Sequence, residues 1–139
     1  MELVKALISQ LDELVEMNNQ LVIDEQFDVI LSQADMISRM KDFITGNIYD
    51  CYLIIENRLC CGYCLLDKTK NPIYLRHLFV KNIFRGKGLG KEAINQLMEI
   101  YKSSLLDIEV MAWNENAIKF YNKLGFVCRY HGMRIRKDV

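Results

Sequence analysis

Three glycines in five residues, Gly86, Gly88 and Gly90, separate a run of β-formers, Ile73–Val80, from a stretch with apolar residues at helical spacing: Leu89, Ala93, Leu97, Met98 and Tyr101. A further apolar run, Leu106–Ala112, follows. No other feature restricts the fold so much. A strand, a helix and a strand in that order imply a parallel pair joined by a right-handed crossover. Glycine at the mouth of a helix costs backbone entropy. The compensating gain is close approach of a ligand to bare backbone N–H groups. Successive N–H groups at a helix N-terminus bind phosphate oxygens, and the helix dipole adds to the attraction. Arg85 and Lys87 place full charges in the same loop.

Two general phosphate motifs fail against this loop. A P-loop needs glycine where Arg85 stands and Ser or Thr where Glu92 stands. A dinucleotide fingerprint needs a wider glycine spacing and belongs after the first strand of a larger doubly wound domain. Asp107 or Glu109 lies at the distance of a ribose-binding acid, but the loop sits past the middle of a small chain.

The rest of the chain reads as one domain, residues 1–139, with no repeat and no linker. Glu2–Ala6 is a short first strand. Ser9-x-x-Asp12 opens a helix to about Glu25, and Ser32-x-x-Asp35 opens another that stops near Thr45-Gly46. Asp50–Glu56 and Leu59–Leu66 form a hairpin about Asn57-Arg58, and Ile73–Val80 is the next strand. Asn114–Leu124 is a short helix closed by Gly125. Phe126–Tyr130 and Met133–Arg136 are expected as final strands. The expected class is α/β (α+β), with a mixed, mostly antiparallel sheet.

Lys and Arg balance Asp and Glu at 18 each, which argues against a nucleic-acid binder. No apolar run is long enough to span a bilayer. No signal peptide is expected, and a cytoplasmic location follows as the expectation. Five cysteines without regular spacing suit buried residues in a reducing compartment. Cys61 and Cys64 form a CxxC, but strand alternation sends them to opposite faces, so no metal site is expected. The neutral total hides an asymmetry. Ala6–Ser38 has seven acids and no base, whereas Lys68–Lys102 has eight bases and two acids.

Two spaced patterns then coincide. Arg85-Gly86-Lys87-Gly88-Leu89-Gly90 fits [RQ]-x-x-G-x-[GA] after the hydrophobic strand "HLFV", and Asn114–Phe126, "NENAIKFYNKLGF", fits N-x-x-A-x-x-x-Y-x-x-x-G-F. With both in this order, the chain resembles the GNAT N-acetyltransferase superfamily, strongly over Ile73–Phe126 and by element order elsewhere. The resemblance implies a central parallel strand pair flanked by about four helices, with acetyl-CoA as the acyl donor. It implies that Phe79 and Val80 lie on a splayed strand whose backbone meets the pantetheine arm. It also implies that Arg85, Gly86, Lys87, Gly88, Leu89 and Gly90 hold the pyrophosphate, and that Asn114 contacts the cofactor. Tyr121 matches the tyrosine that protonates the departing thiolate. Asn114 equally suits a helix N-cap, and Tyr121 a core aromatic.

Acyl transfer to an alkyl amine needs a base, because an amine with pKa of about 10 is mostly protonated at neutral pH. Glu109 and His77 are the candidates, each with a structural alternative. Strand alternation groups His77 with Phe79, and Arg76 with Leu78 and Val80. The acidic stretch covers the two helices from which the family commonly builds its acceptor site. The expected acceptor is therefore a cationic small-molecule or peptide amine, and a homodimer is compatible with the pattern. Two other functions stay open: a non-catalytic acyl-CoA-binding module and a nucleotide-phosphate binder.

Overall fold

The computed structural model describes residues 1–29 and 31–138. The elements are β1 (Glu2–Lys5), α1 (Leu11–Glu25), α2 (Gln33–Thr45), β2 (Tyr49–Glu56), β3 (Leu59–Asp67), β4 (Ile73–Val80), α3 (Leu89–Ile100), β5 (Leu106–Ile108) and α4 (Glu115–Lys123). The strands form one sheet in sequence order. Neighbours are antiparallel except β4 and β5, which are parallel as the crossover through α3 requires. The expected mixed sheet with four flanking helices is therefore present. Among the described residues no helix is long and apolar enough to cross a membrane.

Each sheet face carries its own core. Leu14, Met40, Phe43, Leu53, Tyr63, Leu65 and Phe79 are buried together on the α1/α2 face. Tyr52, Leu66, Leu75, Ile94 and Leu97 are buried on the other, with Phe120, Tyr121 and Phe126 packed against them. The helix ends follow local chemistry. Ser32 accepts from Asp35 N at 3.1 Å and caps α2 as its spacing predicts. Ser9 does not cap α1. It lies inside a short 3₁₀ turn, Ile8–Gln10, where the Gln10 side chain instead accepts from Leu7 N at 2.8 Å. α4 closes with Gly125 N on Asn122 O and Phe126 N on Tyr121 O, both at 3.1 Å. That pair of bonds is a Schellman motif. Its apolar contact is Phe126 on Tyr121, with ring centroids 5.3 Å apart.

Two bulges overturn the alternation read from sequence. Pairing of β2 with β3 skips Cys61, and pairing of β3 with β4 skips Arg76. An inserted residue shifts the side chains around it by one face. Cys61 thus joins Ile54, Leu89 and Ala93 on the α3 face, the face that also holds Cys64. Arg76 leaves Leu78 and Val80 and turns to the α2 side, over the rings of Phe43 and Tyr49.

The expected terminal strands, Phe126–Tyr130 and Met133–Arg136, are not formed. Val127, Tyr130, Met133 and Ile135 are exposed instead. A β-pattern holds as a strand only against a neighbour and a buried face, and this segment has neither. β5 likewise ends at Ile108 rather than at Ala112.

Candidate functional site

β4 and β5 pair only from Ile73–Leu106 to Leu75–Ile108, and the bulge at Arg76 begins where that pairing stops. Beyond it the segment that follows β5 no longer pairs with β4, and the sheet is open there. The opening holds a cavity of about 60 Å³. Arg76, His77 and Leu78 line it from β4, and Glu109 and Val110 from the segment after β5. α4 contributes Asn114, Ala117 and Tyr121, and α1 contributes Leu21 and Glu25. Three residues singled out by sequence, His77, Glu109 and Tyr121, thus meet at one cavity with Asn114. Glu25 is the addition that no motif flagged. It was legible only as one acid of the charged front.

A hydrogen-bond chain runs into this cavity from α2. Arg39 Nη2 donates to Asn18 Oδ1 at 3.3 Å. Arginine is only a donor, so this contact orients the Asn18 amide. Asn18 Nδ2 then donates to the Tyr63 hydroxyl at 3.0 Å. The Tyr63 proton is directed to His77 Nδ1, 3.0 Å away. The chain assigns His77 the tautomer that carries hydrogen on Nε2. Burial, and then the Arg39 and Arg76 guanidiniums, push the His77 pKa down to about 3. The imidazole is therefore neutral, with its acceptor nitrogen engaged and its donor nitrogen left over.

Tyr121 makes edge contacts with Phe120 at 5.0 Å and Phe126 at 5.3 Å. Burial, with Glu25 and Tyr74 nearby, raises its pKa, so the phenol keeps its proton. Glu25 is raised as well, chiefly by burial and then by Asp24, with Arg39 opposing. Asn114 does cap α4, accepting from Ala117 N at 3.3 Å. Its amide nitrogen is not used by that bond.

The glycine loop is built as a cradle. Gly86 and Gly88 have φ of 79° and 80°, values open to glycine and costly for other residues. α3 starts directly after Gly88, and its first helical bond runs from Glu92 N to Gly88 O at 3.0 Å. Among the described residues the amides from Gly86 to Lys91 meet no acceptor. Gly90 serves packing, because a Cβ there would lie 2.9 Å from Phe120 Cζ. Leu89 is buried against Cys61 and Ala93. Lys87 Nζ lies 5.8 Å over the Phe84 ring.

Arg85 differs from the picture of a loose cation beside the loop. Its Nε donates to Val80 O at 2.7 Å, its Nη2 to Asp24 at 2.7 Å, and its guanidinium lies 5.5 Å over the Phe79 ring. Lys81 N turns to Cys61 O on β3 at 2.7 Å. By alternation the main-chain groups of Val80 then face the β5 side, where pairing has ended. Phe79 itself is buried on the α1/α2 face. Three of the seven acids of the front are matched within the chain: Glu13 with Lys81 at 2.9 Å, Asp24 with Arg85, and Asp28 with Arg134 at 3.6 Å.

The Acetyltransferase (GNAT) family matches residues 15–126. The chain belongs to this family. Among curated relatives, the GNAT chain is 31% identical over 64 residues to the spermine/spermidine N(1)-acetyltransferase of Bacillus subtilis (strain 168), covering 43% of this chain and 42% of that one. It spans less than half the length of the curated relatives it matches. Among solved structures, a tetramutant of the BH1408 protein from Bacillus halodurans superposes with a TM-score of 0.79 at 21% identity, covering 99% of this chain and 100% of that one. An aminoglycoside N-acetyltransferase in complex with CoA gives a TM-score of 0.74 at 13% identity, covering 99% of this chain and 95% of that one. At such identities these likenesses speak for the fold.

Proposed function

We propose that this chain, acting as one catalytic domain over residues 1–139, transfers an acetyl group from acetyl-CoA to the primary amine of a small molecule or peptide. The observation that carries the reading is the end of β4–β5 pairing beside a helix start with uncommitted amides. The cradle supports diphosphate binding by the Gly86–Lys91 amides, with Lys87 and the Val80 N–H as further contacts, the Val80 carbonyl being taken by Arg85. Asn114 keeps an amide nitrogen toward the same cavity.

Each cavity residue suits one step. Tyr121, held protonated by burial, is the donor to the leaving thiolate. A base must accept a proton from the amine. His77 suits that role poorly, since its Nδ1 is engaged and its pKa lies at about 3. Its Nε2–H suits a donor to a carbonyl oxygen, a role that a neutral ring can fill. Glu25, with its raised pKa, is the better base, because proton transfer is most effective when the pKa approaches the working pH. Glu109 at the cavity rim is the second candidate.

Mixing the protein with acetyl-CoA, an amine panel and a thiol reagent tests the reading. Release of CoA thiol that depends on an amine is expected. Tight acetyl-CoA binding without any release would instead identify a non-catalytic acyl-CoA-binding module. Binding of ATP or NAD in preference to acetyl-CoA would identify a nucleotide-phosphate binder. We also infer a homodimer, because the segment after Phe126 carries a strand pattern with no strand partner among the described residues, and β5 is an edge strand of the sheet.

A further inference from the structure

We propose that the acceptor carries a carboxylate in addition to its amine, and that Arg39 and Arg76 hold that carboxylate. The proposal rests on the acetyltransferase reading above and specifies the substrate class of the same site. Arg39 and Arg76 converge on one ring, with guanidinium carbons 5.7 Å and 5.3 Å from the Phe43 centroid. Among the described residues neither has a carboxylate within ion-pair distance. Their other contacts are neutral: Arg39 with Asn18, and Arg76 Nη1 with the Tyr49 hydroxyl at 3.0 Å. Arg39 Nε is buried and has no hydrogen-bond partner among the described residues.

Arg76 acts against the charge of Arg39, Glu25 offsets this only from beyond ion-pair distance, and a buried N–H without an acceptor adds to the cost. Arg85 and Arg134, by contrast, each have an aspartate. A carboxylate supplies what is missing. It offers acceptor oxygens to both guanidiniums and neutralises their repulsion. Arg76 lines the cavity that also holds Glu25 and Tyr121. A ligand with a carboxylate at Arg76, the one of the two arginines that lines the cavity, can therefore extend its amine toward the glutamate. The acceptor is then an amino-carboxylate, a zwitterion rather than a polycation. The pairing of Asp24 and Asp28 with the chain's own arginines agrees, because fewer acids remain to attract a bare cation.

Ligand-observed NMR titrations of the full chain test this with matched pairs that differ by one carboxylate: β-alanine and ethylamine, 4-aminobutyrate and propylamine, lysine and cadaverine. At least one carboxylate-bearing member is expected to bind about tenfold more tightly than its partner, as a charge-assisted contact provides. That preference should shrink to about twofold or less in Arg76→Gln, whose exposed site tolerates change, and in Arg39→Met. A protein that binds acetyl-CoA but prefers no carboxylate, or whose preference survives both substitutions, overturns the proposal alone. A protein that binds no acetyl-CoA overturns the acetyltransferase reading and this proposal with it.

Discussion

Glu25 ends α1 with its carboxyl at the cavity, and burial raises its pKa. A base acts only when deprotonated, so kcat/KM should climb with pH through that raised value. Glu25→Gln should lower kcat/KM by about 100-fold or more and remove the acidic limb of the profile. An unchanged limb would shift the role to Glu109. Tyr121→Phe should lower kcat by a similar factor, with acetyl-CoA affinity changed by no more than about twofold in a direct binding titration. His77 makes a different prediction, about stability. Its folded pKa of about 3 lies below the unfolded value of 6.5. The unfolded chain therefore binds the extra proton between those values. The contribution of His77 is complete above pH 6.5 and is lost as pH falls toward 3, at up to about 1.4 kcal/mol per unit. Denaturant melts at pH 7 and pH 5 should show a smaller loss for His77→Gln than for the parent chain. Tyr121, Asn114 and the loop were legible in sequence because each sits at fixed spacing within one continuous motif. Glu25, Arg39 and Asn18 were not, because only tertiary folding brings them to β4. Arg76 was read onto the wrong face because a bulge leaves no local signature of its own.

At the scale of elements, periodicity located every helix and the first four strands to within a few residues. It failed where pairing, rather than pattern, decides. β5 stops at Ile108, level with the bulge at Arg76 on β4, and the two strands expected after α4 have no neighbour among the described residues. The loop between β4 and α3 separates its glycines by function. A Cβ at Gly88 would meet nothing within 4 Å, whereas one at Gly90 would press on Phe120. Gly88→Val therefore disturbs the fold only through its left-handed backbone, costing about 1–2 kcal/mol. It also sets a side chain beside the bare amides at the helix start. Acetyl-CoA affinity measured by calorimetry should fall at least about tenfold while the protein still melts cooperatively. Retained affinity in the folded variant would remove the cradle from the binding site.

The whole molecule exposes 9540 Å², against about 7500 Å² for a compact chain of 16.3 kDa. Much of the excess lies after α4, where Met133 is 93% exposed and Val127 80%. Light scattering is expected to report a dimer for the full chain, and a monomer after deletion of residues 127–139. A full chain that is monomeric at tens of micromolar would leave the segment without that role. The chain's one tryptophan offers a separate view of the molecule. Trp113 Nε1 donates to Glu25 O at 3.2 Å and to Gln26 O at 3.0 Å, bolting the end of α1 to the segment that leads into α4. Parting the rim of the cleft at this point breaks the two contacts of this half-exposed indole. Its emission spectrum is an inbuilt gauge of breathing at the site: a red shift on adding an acceptor would register the bolt sliding open, and a constant spectrum would mean that reactants enter a frame that does not yield.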